Sequence, residues 1–205
     1  MKIVVFGASG RVGQHVVRLA LEKGIEVTAF VRTPSKLQIS HPFLHIYHGN
    51  ALQADDVATA IKGQNAVVSC LASSKGLKES TELSKMIENI VLGMNTDHVN
   101  RIVYIASAGI DGEIPGISGK MVMKTLKYPL LDHRHAVDTI MKNNLDYTIV
   151  RPMGLTNEAP AGKYREAVEG IPEKGRSIAR ADVANFILKA LEDPKYSNLS
   201  VSIAN

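Results

Sequence analysis

The stretch that decides the fold is Lys2-Ile3-Val4-Val5-Phe6-Gly7-Ala8-Ser9-Gly10-Arg11-Val12-Gly13. Lys2–Phe6 is a short β-branched run with no polar alternation, the pattern of a strand buried on both faces of a parallel sheet. Glycines follow at once, spaced Gly-x-x-Gly-x-x-Gly. Val12, Val16, Leu19 and Ala20 then recur at helical spacing, and Gly24 stops a helix expected over Arg11–Lys23. Strand, glycine turn and helix together are the context in which a glycine fingerprint binds a dinucleotide. Gly7 permits the tight turn, Gly10 lets the backbone approach a pyrophosphate, and Gly13 lets the helix pack closely on the strand. The helix start adds free N–H groups and a partial positive charge. A tight turn that binds nothing is the alternative reading of these glycines.

Outward from this unit the chain keeps alternating. Further strands are expected at Ile25–Val31, Phe43–Tyr47, Ala66–Leu71, Arg101–Ala106, Tyr147–Val150 and Leu199–Ile203. Helices are expected at Asp55–Ile61, Glu79–His98, His133–Asn143 and Ala181–Leu191. Asp111–Gly119 reads as a Gly/Pro loop and Thr156–Arg176 as irregular chain. Strands alternating with helices of this length imply a doubly wound parallel α/β sheet with helices on both faces. The 205 residues fit a single domain over 1–205, with 153–180 as a small substrate-side insertion.

The second expected strand runs into Phe30-Val31-Arg32-Thr33-Pro34-Ser35-Lys36. An NAD site places an acid there to hold the ribose hydroxyls. No acid is present, and Arg32 stands in its place. A guanidinium binds a 2′-phosphate through paired hydrogen bonds and stacks on adenine. Arg11 adds a second cation, so NADP(H) is the expected cofactor.

Several stretches carry a family resemblance: GASGRVGQHVV (7–17), FVRTPSKL (30–37), HGNALQADDVATAIKGQNAVVSCLAS (48–73), RIVYIASAGI (101–110), the DHRHA block (132–136) and DYTIVRPMGLTN (146–157). Together they resemble the atypical short-chain dehydrogenase/reductases with an NAD(P)-binding Rossmann fold, in particular flavin reductase/biliverdin IXβ reductase-type proteins. The resemblance runs from Met1 to Asn205. It implies NADP(H) contacts from Gly7, Ser9, Gly10, Arg11, Val12, Gly13 and Arg32. It implies adenine-side contacts from Asn50 and Ala51, and contacts near the ribose and nicotinamide from Leu71, Ala72, Ser107, Pro152 and Met153. Asn50 departs from the aspartate usual there, which should alter one adenine hydrogen bond without abolishing binding.

Catalytic signals are sparser. A Tyr-x-x-x-Lys pair, in which the lysine lowers the tyrosine pKa, does not occur: the residues four places after the six tyrosines are Ala51, Ala108, Asp132, Arg151, Val168 and Ser200. Ser107 follows the fifth expected strand, at the carboxyl edge where ligands bind such sheets. It either hydrogen-bonds substrate or the nicotinamide amide, or is a turn serine. His133, in Asp132-His133-Arg134-His135, either relays a proton or begins a helix capped by Asp132. Ser107 and His133 are the catalytic candidates. Hydride transfer to a planar acceptor needs little from the protein beyond positioning. The expected function is therefore an NADPH-dependent oxidoreductase acting on a planar acceptor such as a flavin, quinone or tetrapyrrole. A catalytically silent NADP(H)-binding sensor or regulatory protein is the alternative. A sugar-nucleotide epimerase would need the missing Tyr/Lys pair.

Composition narrows the partners. The net charge is +4, and the lysines and arginines are scattered; Lys120, Lys124 and Lys127 on one helix face read as a solvated surface. Aromatics make up 5% and Trp is absent, which argues against a base-stacking nucleic-acid surface. The first residues form too short an apolar run for a signal peptide or membrane span. The single cysteine, Cys70, suits a reducing cytoplasm and reads as a small core residue. His41, His45 and His48 fall on mixed faces, so no metal is expected. A monomer or a homodimer acting on a small-molecule acceptor is expected, with neither nucleic acid nor membrane as partner.

Overall fold

The computed structural model describes residues 1–205. In chain order the elements are β1 (Lys2–Phe6), α1 (Gly13–Glu22), β2 (Glu26–Val31), β3 (Leu44–His48), α2 (Ala54–Ile61), β4 (Ala66–Ser69), α3 (Glu82–Thr96), β5 (Arg101–Ile105), α4 (Gly116–Thr125), α5 (Lys127–Met141), β6 (Asp146–Pro152), β7 (Gly154–Thr156), β8 (Arg165–Ala167), β9 (Ser177–Ala179), α6 (Arg180–Glu192) and β10 (Leu199–Ala204). The main sheet has the order β3-β2-β1-β4-β5-β6-β10-β8. Every pair in it is parallel except β10 with β8. The strands from β3 to β10 therefore end on one edge. The order reverses between β1 and β4, and the crevice outside that reversal is where ligands bind sheets of this kind.

The apolar run of β1 is continuous because both of its faces are covered. Ile3 and Val5 pack toward α1 and α6, while Val4 and Phe6 pack into the layer of α2, α3 and α5. Successive strand side chains point to opposite faces, so two helical layers need apolar residues at every position. This is the Rossmann-like α/β arrangement that the alternating pattern implies.

Three segments differ from the sequence reading. Asp111–Gly119 is not all loop, because α4 starts at Gly116 behind Pro115. Two glycines, poor helix formers, hide it. Gly119 is required there, since a Cβ would lie 2.5 Å from the Ile114 carbonyl oxygen. Helix α5 starts at Lys127, six residues before His133, with Pro129 in its first turn, where the missing N–H costs nothing. Thr156–Arg176 holds β8, which extends the sheet edge antiparallel to β10, and is flanked by β7 and β9, which pair in a separate small sheet. Strands of three residues are too short to show a period.

Candidate functional site

The glycine turn sits where β1 and β4 end side by side. Gly7 has φ +76°, and a Cβ on it would lie 2.6 Å from the Cys70 carbonyl oxygen. A Cβ on Gly13 would lie 2.2 Å from the Gly7 carbonyl oxygen, so helix α1 touches the turn backbone. Both positions exclude side chains for structural reasons. Gly10 is different: a Cβ there would meet only the Gly7 carbonyl oxygen, at 3.1 Å, and the residue is exposed. Its missing side chain leaves the mouth of the turn open.

The start of α1 presents donors. The Gly10 N–H donates to the Gly7 carbonyl and the Gln14 N–H to the Gly10 carbonyl, whereas the backbone N–H groups of Arg11, Val12 and Gly13 have no acceptor in the protein. Unpaired N–H groups at a helix N-terminus, on the positive end of its dipole, fit a pyrophosphate. Val12 offers only its backbone, since its side chain joins the core. Ser9 is half-buried, and its carbonyl accepts from the Gln14 side chain at 3.0 Å. Arg11 is exposed and unpaired. Partial burial, with the charge of Arg11 added to it, holds the Arg180 guanidinium below its usual pKa range. Arg180 is the first residue of α6, and its Nη1 donates to the Asn157 side chain at 2.8 Å. The expected helix start at Ala181 concealed it.

Arg32 follows the last residue of β2 and is exposed, with no hydrogen-bond or ion-pair partner in the protein. Its charge reaches Glu82 at the start of α3. Burial alone would raise the Glu82 carboxyl; donors from Ser74 and Ser73, with the field of Arg32, outweigh it and hold it below the usual range. The Ser73 and Ser74 hydroxyls donate to Glu82 at 3.0 and 2.9 Å, which fastens the loop after β4 to α3. Asn50 lies beyond β3. Its side-chain oxygen accepts from the Leu52 N–H at 3.1 Å, which leaves the amide NH2 as its free end. Ala51 is buried, and its carbonyl accepts from Asn89 at 3.0 Å.

Past the ends of β5 and β6 lies a cavity of about 950 Å³. Ser107, Pro152 and Met153 line it, along with Ile114, Val122 and Leu155. The structure thus gathers three of the residues expected near the nicotinamide at one wall. Leu71 and Ala72 follow β4 nearer the glycine turn and do not line it. The Ser107 hydroxyl donates to the Ala108 carbonyl at 2.9 Å, and the Ala108 N–H donates to the Pro152 carbonyl at 3.0 Å.

His133 is not on the cavity wall. It lies inside α5, its Nδ1 2.7 Å from the hydroxyl of Tyr104, a fully buried residue of β5. Although half-buried by exposed area, its imidazole is surrounded closely enough that burial pushes its pKa down to about 4, against a weaker upward pull from Asp132. A neutral ring tied to a core tyrosine braces α5 on the sheet. Nor does Asp132 cap its own helix. Its carboxylate accepts the Leu83 and Ser84 backbone N–H groups at 3.0 and 2.9 Å, capping α3 from a neighbouring helix. No local pattern predicts that, because the partners are 49 and 48 residues away. Burial pushes the Cys70 thiol up to about 12, so it stays protonated and is no nucleophile. Of the three histidines, His45 pairs with Glu26 at 3.1 Å, and the Phe43 N–H donates to His41 Nδ1 at 3.2 Å. No group of three or more metal-ligating side chains is assembled. No helix is long and apolar enough to cross a membrane.

The chain is similar to several known proteins. An uncharacterised chloroplastic protein of Arabidopsis thaliana is 27% identical over 201 residues, covering 93% of this chain and 71% of its own length. The chain spans less than two thirds of several other curated relatives, down to 32% of one. Among solved structures, a Rossmann-fold NAD(P)-binding family protein from Shigella flexneri superposes with a TM-score of 0.81 at 26% identity, over 100% of this chain and 93% of that one. ChuY of Escherichia coli O157:H7, described as an anaerobilin reductase, superposes with a TM-score of 0.84 at 20% identity, over 100% and 97% of the two chains. A family model described as NAD(P)H-binding matches residues 7–194, from the first glycine of the turn to the end of α6 and just beyond. The chain belongs to this NAD(P)H-binding family.

Proposed function

We propose that the chain is a reductase that uses NADPH to deliver a hydride to a flat, electron-poor acceptor such as a flavin, quinone or tetrapyrrole. The observation that carries this reading is the position of the cavity. It opens beside the carboxyl ends of β5 and β6 and shares Ser107, Pro152 and Met153 with the expected nicotinamide wall. Its walls are otherwise largely aliphatic, which suits a ring system.

The residues divide the work. The free N–H groups of Arg11, Val12 and Gly13 hold the pyrophosphate, and the unpaired guanidinium of Arg32 takes the 2′-phosphate. Ser107, at the end of β5, hydrogen-bonds the carboxamide or the acceptor. No histidine, tyrosine or carboxylic acid lines the cavity, and Tyr104 and His133, off its wall, are occupied with each other. The proton then comes from water, which a flavin or quinone accepts readily once reduced. ChuY shows that a fold of this kind houses a reductase of that name.

The test is to follow NADPH consumption with FMN, a quinone and a redox dye, each against NADH. Turnover with at least one flat acceptor, faster with NADPH, is expected. Tight NADPH binding without turnover on any of them would overturn the reading and leave the sensor alternative.

A further inference from the structure

The cavity is apolar in its walls but not neutral at its rim. Lys174, Arg176 and Arg180 line it, and no carboxylate does. Arg176 has no hydrogen-bond or salt-bridge partner for its side chain. Lys174 approaches only its sequence neighbour Glu173, at 3.7 Å, where both side chains are more than four-fifths exposed. Arg180 is held by an amide rather than an acid, and Arg11 stands close enough to repel it. Cations gathered round an acid-free hollow repel one another, and an anion entering it relieves that repulsion.

The rim is also built firmly. The Gly175 N–H donates to the Pro172 carbonyl at 2.9 Å, closing a tight turn. A Cβ on Gly175 would lie 2.4 Å from Ala204 Cβ, so the turn is seated on the end of β10. Lys174 has φ +58°, a conformation that a side chain rarely adopts. Arg176 follows, and its carbonyl accepts from the Gly154 N–H at 3.2 Å, which ties the turn to the strand leading out of Met153. Both cations are thus presented from fixed backbone beside the site at which the acceptor ring would lie.

We infer that the acceptor carries an anionic group, a phosphate or a carboxylate, which Lys174 and Arg176 bind while the aliphatic walls hold its ring. The inference rests on the reductase reading for the ring, and it separates charged flavins and tetrapyrrole acids from neutral quinones. Arg180, next to Arg11, serves the cofactor's phosphates or the acceptor's anion, so it is left out of the test.

The experiment measures binding rather than turnover. FMN and riboflavin share one fluorescent ring and differ by a phosphate, and the chain has no Trp to contribute background. With the protein saturated in NADP+, quenching of flavin fluorescence gives both dissociation constants. FMN should bind about tenfold tighter than riboflavin, with the difference fading as salt rises. In the Lys174→Asn, Arg176→Ala double variant the ratio should fall to about one. Asn is chosen because it tolerates the left-handed backbone at this position. Arg176→Lys should keep part of the preference and Arg176→Glu reverse it. A linear tetrapyrrole diacid and its dimethyl ester form the second arm. Preference for the diacid alone assigns a carboxylate, and preference for FMN alone a phosphate. Equal binding within both pairs, no measurable binding of all four, or a preference that survives the double variant would overturn the inference. Charge-dependent binding without NADPH consumption would instead overturn the reductase reading and leave Lys174 and Arg176 as an anion site for a bound ligand that is not reduced.

Discussion

The Tyr104 hydroxyl lies 2.7 Å from His133 Nδ1, joining the carboxyl-terminal half of β5 to the middle of α5. Burial raises the tyrosine pKa, with Asp132 adding to it, and lowers that of the histidine to about 4. Both rings are therefore uncharged at neutral pH. The pair is a structural joint, and it carries a pH dependence of its own.

Acid should weaken the fold through His133. An unfolded histidine titrates near 6.5 and this one near 4, so between those values the unfolded chain binds the extra proton. Stability is fully present above about 6.5 and declines as pH falls toward 4, by an amount on the order of 3 kcal/mol from this group. Urea midpoints at pH 7.5 and 4.5 should differ for the wild type and much less for His133→Asn. An equal drop in both proteins would show that other groups carry it.

Asp132→Ala should destabilise the fold without touching the cofactor cleft. It removes acceptors at 3.0 and 2.9 Å from two N–H groups at the start of α3 and leaves them buried. The loss should be roughly 2–3 kcal/mol, and Asp132→Asn should lose less because one oxygen can still accept. Chemical denaturation measures it, with NADPH affinity as the control.

The glycines separate folding from binding. Gly13→Ala should cost several kcal/mol, on the order of the largest point-mutation effects, because its Cβ would overlap the Gly7 carbonyl. Gly10→Ala should fold nearly as well as the parent yet bind NADPH roughly tenfold or more weakly, since its methyl intrudes where the backbone must meet phosphate. Melting curves and cofactor titrations on both variants test this. If Gly10→Ala kept full affinity, the pyrophosphate would have to lie elsewhere.

How much of this was legible from sequence follows from range. The turn at Gly7–Gly13, Arg32 at the end of β2 and Ser107 after β5 were placed by local pattern, and the structure puts them on one sheet edge. The parallel sheet was legible because strands buried on both faces lose their polar alternation, as Ile3 to Phe6 do. The Asp132 cap, the Tyr104–His133 pair and the rim of Lys174, Arg176 and Arg180 were not. Each depends on which distant segments pack together, and α4 stays hidden because glycine, a poor helix former, stands at two of its positions.

Arg32→Ala should lower affinity for NADPH by roughly ten- to a hundredfold and leave NADH almost unchanged, because the guanidinium answers to a phosphate that NADH lacks. Titration with both nucleotides measures the ratio. Equal losses for the two would assign Arg32 to the adenine ring, and no loss would remove it from the site.

The ion pair next to the cavity gives the last test. Arg151 Nη1 lies 2.5 Å from Glu113 Oε1, with the two side chains only 3% and 8% exposed. Arg151 ends near the close of β6, and Glu113 sits in the loop that leads to α4. The guanidinium also donates to the Val168 carbonyl at 2.9 Å and the Gly170 carbonyl at 3.3 Å, so one side chain gathers three segments whose next residues, Ile114, Pro152 and Ile171, line the cavity. Coulomb attraction in a dry site is offset by the cost of burying both charges, so the intact pair adds little net stability. Removing one partner is different, because the other charge stays buried alone. Glu113→Ala should therefore cost about 3–5 kcal/mol. The double variant Glu113→Leu, Arg151→Met should recover much of that loss in stability. It should not recover the order of the 165–170 segment, whose carbonyls lose their donor. Denaturation of the three proteins, with amide exchange across that segment, distinguishes a joint that positions the cavity wall from one that merely stabilises the fold. Unchanged exchange in the double variant would leave only the stabilising role.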